Sequence, residues 1–277
     1  MVGLLAPISA SLSFMFLGVT KVLSPKGLNT SVYLDINNFS RHTPWAHGFM
    51  QTYAVWLGLT VLTVLFVVGY VALWWHGASR QAALLALCGA ATVVALGINQ
   101  VIGRAAAELR PYVTHPHALV LIARANDYAF PSDHAVVAGG LATSLLLIAR
   151  ATGRYLRYSG SSLHTEKETS LRAETETSLR TGTLLRTETE TPLRTGGTVA
   201  VLVVIGACSV VVGLFLCFAR IYVGVHYPGD VVAGLLLGAA VVIVFSLLRP
   251  FIYWLADLAV STPLGFVFCR PGARALP

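Results

Sequence analysis

Charge is scarce in this sequence. Only 11% of its residues are Asp, Glu, Lys or Arg, whereas 56% are hydrophobic and mean hydropathy is +0.72. Soluble domains carry roughly 25% charge, so a water-exposed globule is excluded and a polytopic membrane protein is expected. Cysteine is also sparse. Cys88, Cys208, Cys217 and Cys269 all sit in apolar runs, and none is spaced as CxxC. They read as apolar filler rather than as a zinc site or a disulfide framework. No basic patch is interleaved with aromatics, so nucleic acid is not an expected partner. No carboxylate cluster suggests a required Mg²⁺, and no cofactor is expected. No basic region precedes the first apolar run, so no cleavable signal is expected. The net charge of +7 is assigned to cytoplasmic loop arginines and to groups that meet anionic ligands.

Long uncharged runs dominate what is present. Phe49 to Trp75 and Gln81 to Gly103 form an antiparallel pair around a tight turn at His76 to Arg80. Further runs follow to Ile148, from Val199 to Ala219 and from Val231 to Leu248. Each approaches the ~20 apolar residues that a bilayer requires. Gly3 to Thr20 is either a sixth span or an interfacial segment, so five or six transmembrane helices remain open. Lys21 to His47 is mixed and suits a surface-lying helix, with His42 and His47 solvated. Phe251 to Phe268 is interrupted by Asp257 and Pro263, which suits an interfacial tail. Between Arg150 and Thr198 the pattern of Glu174 to Arg180 recurs at Glu188 to Arg194. This polar, low-complexity stretch is expected to be a disordered loop. The expected division is an N-terminal membrane or interfacial segment 1–48, an all-α core at 49–150 and 199–250, the loop 151–198 and the tail 251–277.

Three polar clusters interrupt the apolar runs. Arg104, Glu108 and Arg110-Pro111 begin a loop that continues through His115, His117, Arg124, Asn126 and Asp127. Pro131-Ser132-Asp133-His134 opens the next run with a helix-start pattern whose backbone N–H groups suit an anion. Arg220 to Asp230 separates the last two long runs. Arg80, Arg150, Arg154, Arg157, Arg194 and Arg249 all fall at the opposite end of the alternating spans, which the positive-inside rule makes cytoplasmic. The three clusters therefore share the non-cytoplasmic face.

Their chemistry points to phosphoryl transfer. Arg220 offers a fork for two phosphate oxygens. His226 has a ring nitrogen able to attack phosphorus. Asp230 can fix its tautomer, and after Pro228-Gly229 it suits the N-cap of the following helix. The bland alternative is a snorkelling arginine and an interfacial histidine beside a helix cap. The middle of the first loop, Ala118 to Ala123, is apolar enough to dip into the interface. His115 and His117 read as surface loop rather than a metal pair. Arg124, Asn126 and Asp127 read either as contacts to a headgroup or as a hydrogen-bonded loop.

These clusters resemble the type 2 phosphatidic acid phosphatase (PAP2) signature: Lys-x6-Arg-Pro, then Pro-Ser-Gly-His, then Ser-Arg-x5-His-x3-Asp. Gly103 stands where the signature has lysine, Asp133 replaces glycine and Ala219 replaces serine. Pro-Ser-Asp-His, the missing lysine and Glu108 look like the bacitracin-resistance-type undecaprenyl-diphosphate phosphatases. The resemblance implies His226 as nucleophile, Asp230 as its orienting group and His134 as proton donor and then base. It implies Arg110, Arg220 and Ser132 as the phosphate-binding groups. Arg104, Glu108 and Asp133 are neighbours without an assigned role, Arg104 being one residue from the missing lysine. The implied substrate is undecaprenyl diphosphate, taken from the bilayer. The alternatives are phosphatidic acid or phosphatidylglycerol phosphate, or a protein that binds or moves an anionic lipid without catalysis.

Overall fold

The computed structural model describes residues 26–153, 193–260 and 262–268. The apolar run from Gly3, most of the low-complexity loop, Cys269, Arg270 and Arg274 lie outside the described residues. Among the described residues all regular structure is helical. Five helices are long and apolar enough to cross a membrane.

Helix α1 (Lys26–Arg41) is amphipathic. Tyr33, Asn37 and Ser40 fall on one stripe and are buried, while Leu28, Leu34 and Phe39 are exposed. Helix α2 spans Pro44–Trp75. It begins upstream of the expected Phe49 because Pro44 starts a helical turn with its ring-fixed φ. A π turn, Tyr53–Leu57, interrupts its first half. Helix α3 (Ser79–Ala106) ends where Ala107 turns left-handed at φ 49°. Helix α4 is Asp133–Gly153, α5 is Leu193–Tyr222 and α6 is Pro228–Ser246. Helix α7 (Arg249–Val260) has 12 residues, too few to span. Its Asp257 forms a bidentate pair with Arg80 at 2.8 Å, joining it to the start of α3.

Up-and-down alternation brings the start of α2, the end of α3, the start of α4, the end of α5 and the start of α6 to one end of the bundle. Stripes such as Val64, Val67, Val68 and Val71 are exposed and form a lipid-facing surface. At the end opposite the site, Leu73, Leu85, Cys88, Leu145, Ile148, Leu202 and Val242 form a buried cluster. Beneath the site lies a second, with Tyr53, Leu62, Tyr112, Leu216, Tyr222 and Val223.

Small residues set the helix spacing, since lipid tails are as apolar as leucine and close packing drives association instead. A Cβ at Gly238 would strike the Val136 carbonyl, and one at Gly234 would lie 2.6 Å from the Ser132 carbonyl. Helices α4 and α6 thus touch backbone to backbone. Their first turns are joined by a bond from Ser132 N to Asp230 O of 3.1 Å. Within the segment Ala118 to Ala123, Val120, Leu121 and Ile122 pack against the cluster beneath the site. Backbone groups of the segment are also used. Leu121 N donates to Val223 O at 3.1 Å, and Leu119 exchanges two bonds with the Asn37 side chain.

Candidate active site

The connection between α5 and α6 is five residues long, and it carries His226. Gly224 adopts φ 86°, and a Cβ there would collide with the Leu119 carbonyl, so the turn requires glycine. Tyr227 is the N-cap of α6, and Pro228 occupies its first turn. Asp230 is therefore the third helical residue and not the N-cap that the sequence suggested. Pro228-Gly229 opens the helix rather than breaking the chain before it. From the third position, Asp230 Oδ2 reaches back to accept the Tyr227 N–H at 2.8 Å, the reciprocal half of a capping box.

The same oxygen lies 3.3 Å from His226 Nδ1. On the other side of the ring, Nε2 lies 3.4 Å from Arg110 Nη1 and 3.4 Å from Arg220 Nη2. Guanidinium groups only donate, so Nε2 must present its lone pair and Nδ1 must carry the proton. Burial, then Arg220, Arg110 and His134, hold the His226 imidazolium form well below the usual histidine range. The ring is thus kept neutral with its lone pair aimed between two cations.

Arg110 caps the single helical turn Pro111–Thr114. Its Nη1 also donates to Val225 O at 3.1 Å, and its Nε donates to Asp127 Oδ1 at 2.7 Å. Arg220 is equally buried, at 7% exposure, but forms no ion pair among the described residues. Its Nη1 donates to Ala54 O at 3.2 Å. That carbonyl belongs to the π turn of α2, where the wider helix frees backbone acceptors. His134 lies against the backbone of the neighbouring Val55 and within electrostatic reach of both arginines.

Ser132 Oγ, Asp230 Oδ1 and Arg220 Nε are fully buried and have no hydrogen-bond partner among the described residues, and the same holds for Asn99 Oδ1 beside the Ser132 turn. Buried polar groups are nearly always satisfied, and of these orphans the Ser132 hydroxyl and the Arg220 N–H are donors that an anion can satisfy, whereas the carboxylate oxygen of Asp230 is an acceptor. The Ser132 N–H is already bonded to Asp230 O, so it is not available to an anion as the helix-start pattern suggested.

His226, His134, Asp230, Arg110, Arg220 and Ser132 are thus brought together. Glu108 is close enough to act electrostatically on the Tyr227 hydroxyl, whose pKa is raised mainly by burial and also by Asp230 and Glu108. Its backbone carbonyl accepts the Ala129 N–H at 2.9 Å. Arg104 is not brought in; it is exposed at the last turn of α3. Arg124 lies over the Tyr112 ring at 5.5 Å, on the outside of the loop. His47 is half-buried and bonds Ser40 O at 2.9 Å, rather than being solvated.

Sequence reading missed three contributors: the π-turn carbonyl of Ala54 and the side chains of Asn99 and Gln100, which hold Asp133 at 2.7 and 2.8 Å. It singled out Asp127 but not Arg110 as the partner that it braces. The two amide side chains left a signal, because Asn99-Gln100 is a polar dipeptide inside an otherwise apolar run.

The chain is 25% identical over 232 residues to the undecaprenyl-diphosphatase BcrC of Bacillus subtilis (strain 168), covering 81% of this chain and 88% of that one. No solved structure matches. The PAP2 superfamily profile matches residues 82–254, which include all three polar clusters. With well over half of its length matched in this way, the chain belongs to the PAP2 superfamily.

Proposed function

We propose that this integral membrane protein hydrolyses undecaprenyl diphosphate, or a closely similar polyprenyl diphosphate, to the monophosphate and inorganic phosphate. The reaction takes place at the non-cytoplasmic face of the cell membrane. One observation carries the reading. Arg220 is a buried guanidinium with no ion pair among the described residues, next to the lone pair of a neutral imidazole. A buried unpaired ion costs several kcal/mol, so the site is built to receive an anion.

In the first step, His226 Nε2 attacks the terminal phosphorus. The bond from phosphorus to the bridging oxygen breaks, and His134 gives that oxygen a proton. Arg110 and Arg220 neutralise the transferred phosphoryl oxygens, helped by Ser132 Oγ and the first turn of α4. In the second step, water attacks the phosphohistidine, His134 takes its proton, and the P–N bond breaks to release phosphate. Asp230 holds the Nδ1 proton throughout. The polyprenyl tail stays in the bilayer and reaches the site sideways. The clustering of these groups, the family membership and the resemblance to BcrC all support this reading.

The test is phosphate release from undecaprenyl diphosphate, phosphatidic acid and phosphatidylglycerol phosphate, with and without chelator. The expected result is release that is fastest from the polyprenyl diphosphate, unaffected by chelator and abolished in His226→Ala. Release by His226→Ala at the wild-type rate would remove the nucleophile assignment. Faster release from phosphatidic acid would move the chain to a different lipid.

A further inference from the structure

The Pro-Ser-Asp-His turn places a carboxylate between the two site residues Ser132 and His134. A carboxylate suits the first turn of a helix, whose N-terminus carries partial positive charge. Here it creates a problem, because Asp133 is within electrostatic reach of the buried Arg220. Turned towards Arg220, it would neutralise the cation that a phosphoryl group has to find.

The neighbouring helix binds this carboxylate instead. Asn99 Nδ2 donates to Asp133 Oδ1 at 2.7 Å, and Gln100 Nε2 donates to the same oxygen at 2.8 Å. Asn99 Nδ2 also donates to Pro131 O at 3.1 Å. One amide group, 2% exposed, therefore grips the chain on both sides of Ser132. Consecutive helical residues point about 100° apart, so two side chains meet one carboxylate only where it sits above the helix between them. That places Asp133 over α3.

We infer that Asn99, assisted by Gln100, is a positioning residue: it holds the Asp133 carboxylate away from Arg220 and clamps the turn that presents Ser132 and His134. This inference rests on the phosphatase reading above.

The test is a double-mutant cycle on phosphate release, with thermal stability in detergent measured alongside. If Asn99 acts through Asp133, Asn99→Ala lowers kcat/KM about tenfold or more, and the same change made in Asp133→Ala has a clearly smaller effect, the remainder being the lost bond to Pro131 O. Asn99→Asp alone sets two carboxylates in contact, which can share a proton at low pH only. Its activity falls as pH rises over a range where the wild type holds steady. Should Asn99→Ala fail to fold, the exposed Gln100→Ala enters the same cycle. Equal losses from the Asn99 or Gln100 change with and without Asp133 overturn the inference while an active wild type leaves the phosphatase reading intact. A wild type that releases no phosphate from any lipid overturns both.

Discussion

A single carboxylate oxygen, Asp127 Oδ1, receives both Nε and Nη2 of Arg110 at 2.7 Å. Arg110 is buried, whereas the Asp127 side chain is 59% exposed, so the brace reaches into the site from a surface loop. It fixes the guanidinium plane and leaves Nη1 aimed at Val225 O and His226 Nε2. It also offsets part of the positive charge of the two arginines.

Two substitutions at Asp127 separate these effects. Asp127→Asn keeps an acceptor for Arg110 and removes the charge. Asp127→Ala removes both. Because charge-assisted bonds are worth about twice neutral ones, and this pair is half in water, effects of about three- to tenfold are expected. Vanadate, a mimic of five-coordinate phosphorus, should bind more tightly to Asp127→Asn and more weakly to Asp127→Ala. Equal inhibition constants in both variants and the wild type would show that the brace has no influence on the phosphoryl site.

Asp230 makes a sharper case. Its Oδ2 holds both the Nδ1 proton of His226 and the N–H that starts α6. In Asp230→Asn an amide N–H can face Nδ1 instead, which moves the ring proton to Nε2 and buries the attacking lone pair. By analogy with the aspartate of serine-protease triads, kcat should fall on the order of 10³- to 10⁴-fold. Loss of the cap costs only about 1 kcal/mol, so the variant remains folded. The check is kcat beside melting temperature; a tenfold or smaller loss of kcat would mean that Asp230 serves the helix start alone.

Much of this was written in the sequence, and what was not has a physical cause. The apolar runs located the spans, and their alternation put Arg110, His134 and Arg220 at one end. Helix packing was hidden because a glycine's use depends on what lies opposite. Nothing near Gly238 in sequence names the Val136 carbonyl that it accommodates. The π turn was hidden for a similar reason. Tyr53 to Leu57 is an ordinary apolar segment, and the acceptors it frees are explained only by the Arg220 that uses one. Asp230 was misplaced as an N-cap because a third-position carboxylate and a capping carboxylate leave the same mark after Pro-Gly.

The depressed imidazole of His226 predicts a pH dependence. In the folded chain burial, followed by Arg220, Arg110 and His134, opposes its protonation. Unfolded, the same group protonates near pH 6.5. Its contribution to stability is therefore complete above pH 6.5 and is lost as pH falls towards the folded value. The slope is at most about 1.4 kcal/mol per pH unit for one proton. Melting temperature between pH 7.5 and 5 should accordingly fall less in His226→Gln than in the wild type, and parallel curves would contradict a neutral buried ring. For catalysis the nucleophile stays unprotonated in mild acid. An acid limb of kcat/KM that arises from His226 lies below pH 6.5.

Ser132 separates function from stability most cleanly. Its side chain is wholly buried, yet Oγ has no hydrogen-bond partner among the described residues. A buried hydroxyl without a partner costs stability, about 1–3 kcal/mol on mutational scales. Replacing it with hydrogen leaves the backbone bond from Ser132 N to Asp230 O untouched. Ser132→Ala should thus melt at or above the wild-type temperature. If the hydroxyl is instead satisfied by a phosphoryl oxygen during turnover, the same variant should lose activity, by about tenfold to a few hundredfold for one donor to developing negative charge. Stability and activity then move in opposite directions, an outcome that a structural serine does not produce. A variant that melts lower and retains full turnover would instead make Ser132 part of the packing between α4 and α6, and the orphaned oxygen would no longer point to a bound phosphoryl group.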